Sequence, residues 1–333
     1  MLRAVFDARD AAHPQLRGWG WYVKALVTAL NEQRDLELTT VDHGWPGPEA
    51  LFEAFGLARR AADAGADVLH APNCFLPTRR RCAGVVTIHD LAFEEHPDDF
   101  ARTTGVKYRA WTPRAARSAD RVIVPSSFTR DDVVRRYGID PQKVHVIPEA
   151  PVIPIGNAPP PAGPYLLAVG DLRKKKNFVT LARAHAQLHT AGLPHRLVIA
   201  GVDAGQGDAI RAGAGQAPIE LPGYVSDGEL DALIRGADLL VHPSLYEGFG
   251  LILAEAMARG IPMVVANATA LPETAGDAAL LFDPLDPNDL ARQIENALAN
   301  PEPLIEAGRA RAGELSWAAT AEQTVAVYRE AAA

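Results

Sequence analysis

The amino-acid sequence predicts an α/β fold of two doubly wound domains in tandem. Two observations lead to this prediction: short runs rich in Val, Ile and Leu alternate with longer helical patterns, and one proline-rich segment interrupts the alternation. Such alternation is typical of βαβ units on a parallel sheet. The chain of 333 residues is about twice the usual domain length, which agrees with two domains.

The first half of the chain carries strand-like runs separated by helical patterns. The runs are 2–8, 36–43, 67–72, 84–90, 121–126 and 144–150. Helices are expected, for example, over 21–33 and 127–138. In the second of these helices, Ser127 and Asp131 are residue types that favour a helix start, and Gly138 favours its end.

A proline-rich segment, VIPIGNAPPPAGP (152–164), separates the two halves. Proline lacks the backbone N–H and fixes φ, so the segment fits neither a helix nor an inner strand. It therefore predicts a linker between a first domain of residues 1–151 and a second domain of residues 165–315.

Beyond this segment the alternation restarts. The strand-like runs are 165–170, 195–201, 239–244, 262–267 and 279–284. The expected helices are 177–191, 226–236, 250–259 and 286–299. Open sheets of this kind bind ligands outside the carboxyl ends of their strands, and two such sheets that face each other are expected to form a cleft.

The composition argues against several classes of protein. A formal net charge of −8 argues against a general nucleic-acid binder. Two cysteines, Cys74 and Cys82, are too few for a disulfide framework and predict thiols of a reducing compartment. The amino terminus lacks the long apolar core of a signal peptide, and no apolar stretch approaches the roughly 20 residues that span a bilayer. A soluble cytoplasmic protein is therefore expected.

The stretch HPSLYEGFGLILAEAMARG (242–260) predicts a binding site for an elongated ligand. It places Glu247 in a turn after a buried strand and Glu255 inside the helix that follows. Eight residues along a helix rise about 12 Å, whereas two carboxylates that share one reacting bond lie about 5–9 Å apart. The two glutamates are therefore expected to bind different parts of one ligand, not to act as an acid/base pair.

Two glycines lie between these glutamates. Gly248 and Gly250 let the backbone approach a ligand closely, and the amides that open the next helix suit a phosphate. A nucleotide sugar has phosphates in its middle and hydroxyl groups at both ends, which fits this arrangement. The residues alone also allow a simpler interpretation, in which Glu247 is a helix-start carboxylate and Glu255 a solvated one.

With its flanks, this stretch resembles the donor-binding region of glycosyltransferase family 4, whose members are retaining enzymes of the GT-B fold. The resemblance rests on EGFGLILAE, on AMARGIPMVVAN and on LPETAGDAALLFDP, and it covers most of the second domain and much of the first. It implies two Rossmann-like domains facing a central cleft, with a carboxy-terminal helix at about 316–330 packing back on the first domain. It also implies transfer of a mannose- or glucose-type hexose from a nucleotide diphosphate sugar to a glycan, lipid-linked or small-molecule hydroxyl group.

The resemblance also implies roles for individual residues. Glu247 is expected to contact the donor sugar and Glu255 the ribose. The backbone between them is expected to serve the sugar and the pyrophosphate: Gly248, Phe249, Gly250 and Leu251.

A basic run in LAVGDLRKKKNFVTL (167–181) is the second feature of the resemblance. The lysine of the family pattern matches Lys176, and Lys175 stands where the family has arginine. Some relatives carry another arginine directly after the glycine, where this chain has Asp171, and Arg173 is expected to supply that charge. The chain departs from the family here, because arginine binds phosphate bidentately and lysine does not. Without the resemblance, the run also fits a solvated basic loop.

Two further segments are expected to bind the donor. Gly18 and Gly20, in GWGWYV, open a helix after the first strand, and the resemblance directs this loop to the donor phosphates or the acceptor. A dinucleotide fingerprint is excluded there, because the third glycine is missing. LPGYVSDGEL resembles the base-recognition turn of the family, which implies that the backbone of Tyr224 and Val225 contacts the base.

His89, Glu247 and Lys176 are the expected catalytic residues. His89 ends a strand in VVTIHDLAF, and family similarity directs it to the donor sugar, although a lone histidine is also commonly structural. Lys176 and the helix amino terminus are expected to stabilise the leaving phosphate, and the resemblance implies that the acceptor attacks from the same face. No Asp-x-Asp or His/Cys cluster suggests a metal, so no metal cofactor is expected.

The remaining observations concern partners and alternatives. Basic residues over 102–121 fit an anionic lipid surface at the inner face of a membrane, an anionic acceptor, or a plain solvated face. HDLAFEEHP and VIVPSSFTRDDV resemble mannosyltransferase-like members of bacterial surface-glycan pathways, which favours GDP-mannose over a UDP-linked donor. A nucleotide-sugar epimerase of the same fold and a non-catalytic sugar-binding or partner subunit remain as alternatives.

Overall fold

A computed structural model of the protein describes residues 1–12, 16, 18–45 and 47–333. The chain divides into two compact units. Unit 1 comprises Met1–Val152 and Ser316–Ala333, and unit 2 comprises Ile153–Leu315.

Unit 1 is built on a parallel six-stranded sheet. Its strands are β1 (Leu2–Asp7), β2 (Leu36–Val41), β3 (Val68–Ala71), β4 (Ala83–Thr87), β5 (Arg121–Val124) and β6 (Val144–Val146). They lie in the order β2-β1-β3-β4-β5-β6, and all neighbours are parallel. The first helices are α1 (Gly18–Leu30), α2 (Glu49–Leu51), α3 (Leu57–Asp63), α4 (Ala92–Glu95), α5 (Arg102–Ser118) and α6 (Ser127–Tyr137).

Both faces of this sheet are buried, which explains why its strands are continuously apolar. Consecutive strand residues point to opposite faces, so Val5 and Phe6 join different apolar clusters, as do Val86 and Val85. One of these clusters includes the fully buried Tyr328 of the carboxy-terminal helix.

Unit 2 has a second parallel six-stranded sheet. Its strands are β7 (Tyr165–Val169), β8 (Arg196–Ala200), β9 (Ile219–Gly223), β10 (Leu239–His242), β11 (Met263–Ala266) and β12 (Ala279–Phe282). Its helices are α7 (Phe178–Thr190), α8 (Gly207–Ala214), α9 (Asp227–Gly236), α10 (Leu251–Arg259), α11 (Leu271–Ala275), α12 (Pro287–Ala299) and α13 (Glu302–Gly313). The last helix, α14 (Trp317–Ala332), lies in unit 1 against α1.

The strand order of unit 2 is β12-β11-β10-β7-β8-β9. From β7 the chain winds outward through β8 and β9, and from β10 it winds outward on the other side through β11 and β12. The neighbours β7 and β10 therefore form a topological switch point, where sheets of this class bind ligands.

The structure confirms that strands and helices alternate, with two local corrections. Helix α6 begins at Ser127, as predicted, but its capping residue is Ser126, which accepts a hydrogen bond from the amide of Thr129, and Asp131 lies inside the helix. The predicted end at Gly138 is confirmed, with a left-handed φ of 63°. Strand β9 was not predicted from the sequence. It contains a proline and lies at the sheet edge, where a missing N–H is tolerated.

The proline-rich residues 153–164, here called the strap, are anchored on unit 2. Arg235 Nη2 donates to the carbonyl of Ala158 at 2.7 Å, and Arg196 Nη1 donates to the carbonyl of Ala162 at 2.8 Å. The amide of Gly156 donates to Asp231 Oδ2 at 2.9 Å. The segment predicted as a linker is therefore bonded into unit 2 from Ile153 onward.

Candidate functional site

Three loops at the carboxyl ends of neighbouring strands of unit 2 carry the centre of the candidate site. The loop after β7 carries Lys175 and Lys176, the loop after β10 carries Glu247, and the loop after β11 carries Thr269. Strands β7 and β10 flank the switch point, so these loops lie where a ligand is expected.

The carboxylate of Glu247 lies among basic side chains. Its Oε1 accepts a hydrogen bond from Lys176 Nζ at 2.5 Å, and Lys175 Nζ lies 3.9 Å from Oε2. Burial acts to raise the pKa of Glu247, but the two ammonium groups and His242 outweigh it and hold the pKa well below its usual range. Glu247 is thus ionised at neutral pH, where it accepts hydrogen bonds and cannot act as an acid.

His242 ends β10 and contacts the same carboxylate. It is 1% exposed, and its Nε2 lies 3.4 Å from Glu247 Oε1. Burial lowers the pKa of His242, although Glu247 acts in the opposite direction. His242 is therefore neutral at pH 7, so the positive charge beside Glu247 comes from the two lysines.

A strained turn fixes the backbone of Glu247. The amide of Glu247 donates to Thr269 Oγ1 at 3.0 Å, and Thr269 has a φ of 53°. A positive φ is unusual for a β-branched residue, and such outliers concentrate at functional sites. Gly250 precedes α10 with a φ of 91°, and a Cβ there would lie 2.9 Å from Leu271 Cδ2. Glycine is thus required where the chain enters α10.

The other residues between the two glutamates have mixed surroundings. Phe249 is buried in the core of unit 2, whereas Leu251, the first residue of α10, is half-buried. Gly248 lies in the bend before them. The roles expected for these residues and for Gly250 stay predictions.

The second glutamate of the stretch, Glu255, is buried on α10. Its Oε2 accepts from Arg259 Nη1 at 2.6 Å, and its Oε1 accepts from the amide of Ile153 at 3.0 Å. The interpretation as a solvated carboxylate is wrong, because Glu255 is 1% exposed. The expected contact of Glu255 with a ribose stays a prediction.

The basic run forms a short 3-10 turn, Lys174–Lys176, before α7. The side chains of Lys175 and Lys176 are 11% and 17% exposed, so the solvated-loop interpretation is wrong for both. Arg173 Nη2 lies 3.8 Å from Asp171 Oδ2. The acid that departs from the family pattern therefore lies beside the arginine that was expected to compensate for it.

In unit 1, the imidazole of His89 is fixed by two polar contacts. Its Nδ1 lies 3.0 Å from Glu149 Oε1, and its Nε2 lies 3.0 Å from the carbonyl of Pro72. Because a carbonyl can only accept, Nε2 carries a proton. Trp19 stacks on the ring with centroids 6.1 Å apart. A contact between a ring nitrogen and a sugar hydroxyl would require one of these bonds to break, and this expected role stays a prediction.

The two glycines of the amino-terminal loop differ in their surroundings. Gly18 is the first residue of α1, and a Cβ there would meet nothing within 4 Å. A Cβ on Gly20 would lie 2.8 Å from the carbonyl oxygen of Asp10, so this glycine lets α1 pack closely on the preceding turn. Their expected contacts with a ligand stay predictions.

The segment expected to contact a base follows the edge strand β9. Tyr224 is 42% exposed, and Val225 packs against the core of unit 2. Their expected contact with a base stays a prediction.

Several basic residues over 102–121 are bonded within unit 1. Lys107 Nζ lies 2.9 Å from Glu53 Oε1, and Arg117 Nε donates to the carbonyl of Tyr137 at 3.1 Å. Across the described part of the chain, no helix is both long and apolar enough to cross a bilayer. Nor do the described His, Cys, Asp and Glu side chains form a group of three or more suited to a metal ion.

Sequence reasoning missed three residues that shape the site. Thr269 and Arg259 each bond to one of the two glutamates, and Glu149 bonds to His89. Arg259 carries a usable signal, since it follows Glu255 by four residues on a helix and can bond to it. Thr269 and Glu149 carry none, because they reach their partners through tertiary structure.

Comparisons with known proteins add independent findings. Residues 153–312 match the family described as "Glycosyl transferases group 1", and residues 16–150 match "Glycosyltransferase Family 4". The chain is 30% identical to the O-antigen chain mannosyltransferase B of Escherichia coli, over 98% of this chain and 100% of that protein. It is also 30% identical to the MMP alpha-(1->4)-mannosyltransferase of Mycolicibacterium hassiacum, over 90% of this chain and 79% of the relative.

Solved structures share the fold at lower identity. The sucrose-phosphate synthase of Thermosynechococcus elongatus has a TM-score of 0.77 and 21% identity, with coverage of 99% of this chain and 98% of that one. The Anabaena HepE protein in complex with UDP and glucose has a TM-score of 0.71 and 18% identity, with coverage of 98% and 99%.

Proposed function

The chain belongs to glycosyltransferase family 4, and from that premise we propose that it transfers mannose from GDP-mannose to a hydroxyl group of a glycan. It is a hexosyltransferase with the α/β architecture of GT-B structures. Mannose as the sugar is supported by the two relatives at 30% identity, both named as mannosyltransferases. These relatives give no support to the epimerase alternative.

The observation that best supports this function is the buried ion pair of Glu247 and Lys176 at the switch point of unit 2. A nucleotide sugar carries hydroxyl groups next to a diphosphate. The carboxylate of Glu247 suits the hydroxyl groups of the sugar, and the ammonium groups of Lys176 and Lys175 suit the diphosphate.

In the proposed reaction, the bond between the anomeric carbon and the phosphate oxygen breaks, and a bond to the acceptor oxygen forms on the same face. The acceptor proton passes to the departing phosphate, which leaves as GDP. Negative charge develops on that phosphate in the transition state, so the lysines stabilise it more strongly there than in the bound donor. The configuration at the anomeric carbon is retained.

The remaining sequence predictions complete the proposal. The cytoplasm is the proposed location, as predicted from the two thiols, and both cysteines are free in the structure. Transfer is proposed to need no metal ion, because cationic side chains supply the charge at the phosphate. Contact of residues 102–121 with an anionic membrane stays a prediction.

A donor screen tests the proposed function. The purified chain is incubated with GDP-mannose, UDP-glucose or UDP-galactose together with a mannosylated oligosaccharide, and the released nucleotide and the product are measured. We expect turnover with GDP-mannose. We also expect NMR of the product to show that the anomeric carbon keeps the axial configuration it has in the donor. Turnover with a UDP-linked sugar instead would contradict the choice of donor. Binding of GDP-mannose without transfer or hydrolysis would support the non-catalytic alternative.

Two variants test the assignment of the site. Glu247→Ala and His89→Ala are each expected to abolish transfer. Glu247 forms the ion pair with Lys176, and His89 is the expected sugar contact of unit 1. If both variants keep the full rate, the assignment of these residues is wrong.

A further inference from the structure

Arg259 on α10 is a buried residue with bonds in three directions. Its Nη1 donates to Glu255 Oε2 at 2.6 Å, its Nε to Asp231 Oδ1 at 2.9 Å, and its Nη2 to the carbonyl of Ile153 at 2.8 Å. The side chains of Arg259, Glu255 and Asp231 are 2%, 1% and 0% exposed. The guanidinium thus joins α10 to α9 and to the strap.

The bonds around Glu255 fix the orientation of its carboxylate. Arg259 holds one oxygen, and the amide of Ile153, whose carbonyl also binds Arg259, holds the other. Glu255 and Arg259 are four residues apart, which places them on the same face of α10. A carboxylate that is bonded through both oxygens cannot rotate freely.

We propose that Arg259 is a positioning residue for the donor: it holds the carboxylate of Glu255 in the orientation that binds the ribose hydroxyl groups. This inference rests on the proposed function, because it takes the ligand of unit 2 to be a nucleotide. Lysine cannot replace Arg259 fully, since one ammonium group cannot reach two carboxylates and a carbonyl in the fork geometry of a guanidinium.

Arg235 provides a matched control for this role. Its Nε donates to Asp231 Oδ2 at 2.7 Å, and its Nη2 donates to the carbonyl of Ala158 at 2.7 Å. Arg235 therefore bonds to the same aspartate as Arg259 and to another carbonyl of the strap. The hydrogen bond to Glu255 comes from Arg259. Loss of either arginine weakens the attachment of the strap, whereas loss of Arg259 also removes the hydrogen bond to Glu255 Oε2.

The test measures how strongly binding depends on the ribose hydroxyl groups. Dissociation constants of GDP and 2′,3′-dideoxy-GDP are measured by calorimetry for the full chain and for Arg259→Met, Arg259→Lys and Arg235→Met. The same pair of measurements is made with UDP and dideoxy-UDP. Unfolding midpoints are recorded for every variant.

In the wild type, removal of the hydroxyl groups is expected to weaken binding about tenfold, the size of one hydrogen bond to a charged group. The ratio of the dissociation constant of the dideoxy nucleotide to that of the normal nucleotide measures this effect. In Arg259→Met this ratio falls toward one, and in Arg259→Lys it takes an intermediate value. In Arg235→Met the ratio stays at the wild-type value, even though the unfolding midpoint falls. A merely structural role of Arg259 would lower the midpoint without changing the ratio.

Each other outcome is decisive. An unchanged ratio in Arg259→Met, or an equal loss in Arg235→Met, overturns the inference. A wild-type ratio of one for both nucleotide pairs also overturns it, since Glu255 then does not bind ribose. If the chain binds UDP but not GDP, or binds GDP without transferring mannose, the proposed function fails while the ratios still test Arg259. If Arg259→Met does not fold, Arg259→Lys and Glu255→Gln decide, and both must lower the ratio.

Discussion

Lys176 and Glu247 form a direct ion pair, with 2.5 Å between Nζ and Oε1, although 71 positions separate them in the chain. Their loops follow β7 and β10, which are neighbours at the switch point of unit 2. The pair is largely buried, so each side chain controls the charge state and the orientation of the other.

Neutralising Lys176 is expected to affect both stability and transfer. Lys176→Met leaves the buried Glu247 with one ammonium group fewer, and removing one partner of a buried pair costs about 3 kcal/mol. We expect the rate of transfer to fall at least about 100-fold, the order seen when a charge-stabilising group is removed. Steady-state kinetics and urea unfolding measure both effects.

Lys174 is the control for this variant, because it belongs to the same basic turn but is exposed. Lys174→Met should keep the transfer rate within about twofold, as is usual for surface substitutions. An equal loss in both variants would show that the net charge of the turn matters and that the buried pair does not.

Substitutions at Thr269 should separate strain from hydrogen bonding. Thr269→Gly is expected to keep or raise stability, because glycine relieves a positive φ that costs about 1–3 kcal/mol. It is also expected to slow transfer about tenfold, since the amide of Glu247 loses its acceptor. Thr269→Ser keeps the hydroxyl and should keep the rate. If serine is as slow as glycine, the hydrogen bond is not what positions Glu247.

His70 is expected to make the protein less stable in acid. Burial lowers its pKa to about 3, and the ring lies between Tyr328 and Thr87 as a neutral group. His70 takes up a proton below about pH 6.5 in the unfolded chain, but only near the lower folded pKa in the native protein. The contribution of neutral His70 to stability is therefore complete above about pH 6.5, and it is lost as the pH falls toward the folded pKa. The slope is about 1.4 kcal/mol per pH unit for one proton.

Urea titrations between pH 7.5 and 4.5 measure this effect. His70→Asn should be less stable than the wild type at pH 7, and the difference should shrink toward acid. The exposed His43 serves as control, and His43→Asn should change the free energy of unfolding at pH 7 by less than about 0.5 kcal/mol. A constant difference between wild type and His70→Asn across the range would contradict the prediction.

Removal of metal ions should leave transfer intact. We expect the enzyme to keep its rate in EDTA, because the ammonium groups of Lys175 and Lys176 supply positive charge beside the proposed diphosphate. Rates are compared before and after dialysis against the chelator. Loss of activity that returns with Mg²⁺ or Mn²⁺ would refute the prediction.

Contact with membranes is tested by co-sedimentation with vesicles containing anionic lipid. The basic residues 102–121 are predicted to mediate it, and Arg102 is exposed at the start of α5. If the vesicles do not sediment the protein at low salt, the prediction fails. If binding persists in Arg102→Glu, this helix end is not the contact.

The fold was largely predictable because its strands bury both faces, which makes them continuous apolar runs such as that of β4. The edge strand β9 escaped prediction because only alternate residues are covered there and Pro222 resembles a turn. In the site, the motifs were enough to select Glu247 and Lys176 as candidate residues. Their pairing was not, because it depends on β7 lying next to β10, which alternation along the chain does not specify.

The buried ion pair of Asp231 and Arg259 was harder to predict. Asp231 and Arg259 are charged residues of two different helices, α9 and α10, and both side chains are buried. They bond to each other across 28 positions, so a pattern within one helix cannot show the pair.

The attachment of the strap determines where a stable fragment of the second half of the protein can begin. A fragment that begins at Tyr165 would match the predicted domain, but it would leave Arg259, Arg235 and Arg196 without the carbonyl groups that they bind. A fragment that begins at Ile153 keeps all of these partners. We therefore expect the longer fragment to express as a stable protein and the shorter one to aggregate, so the proline-rich residues count as part of the smallest foldable piece.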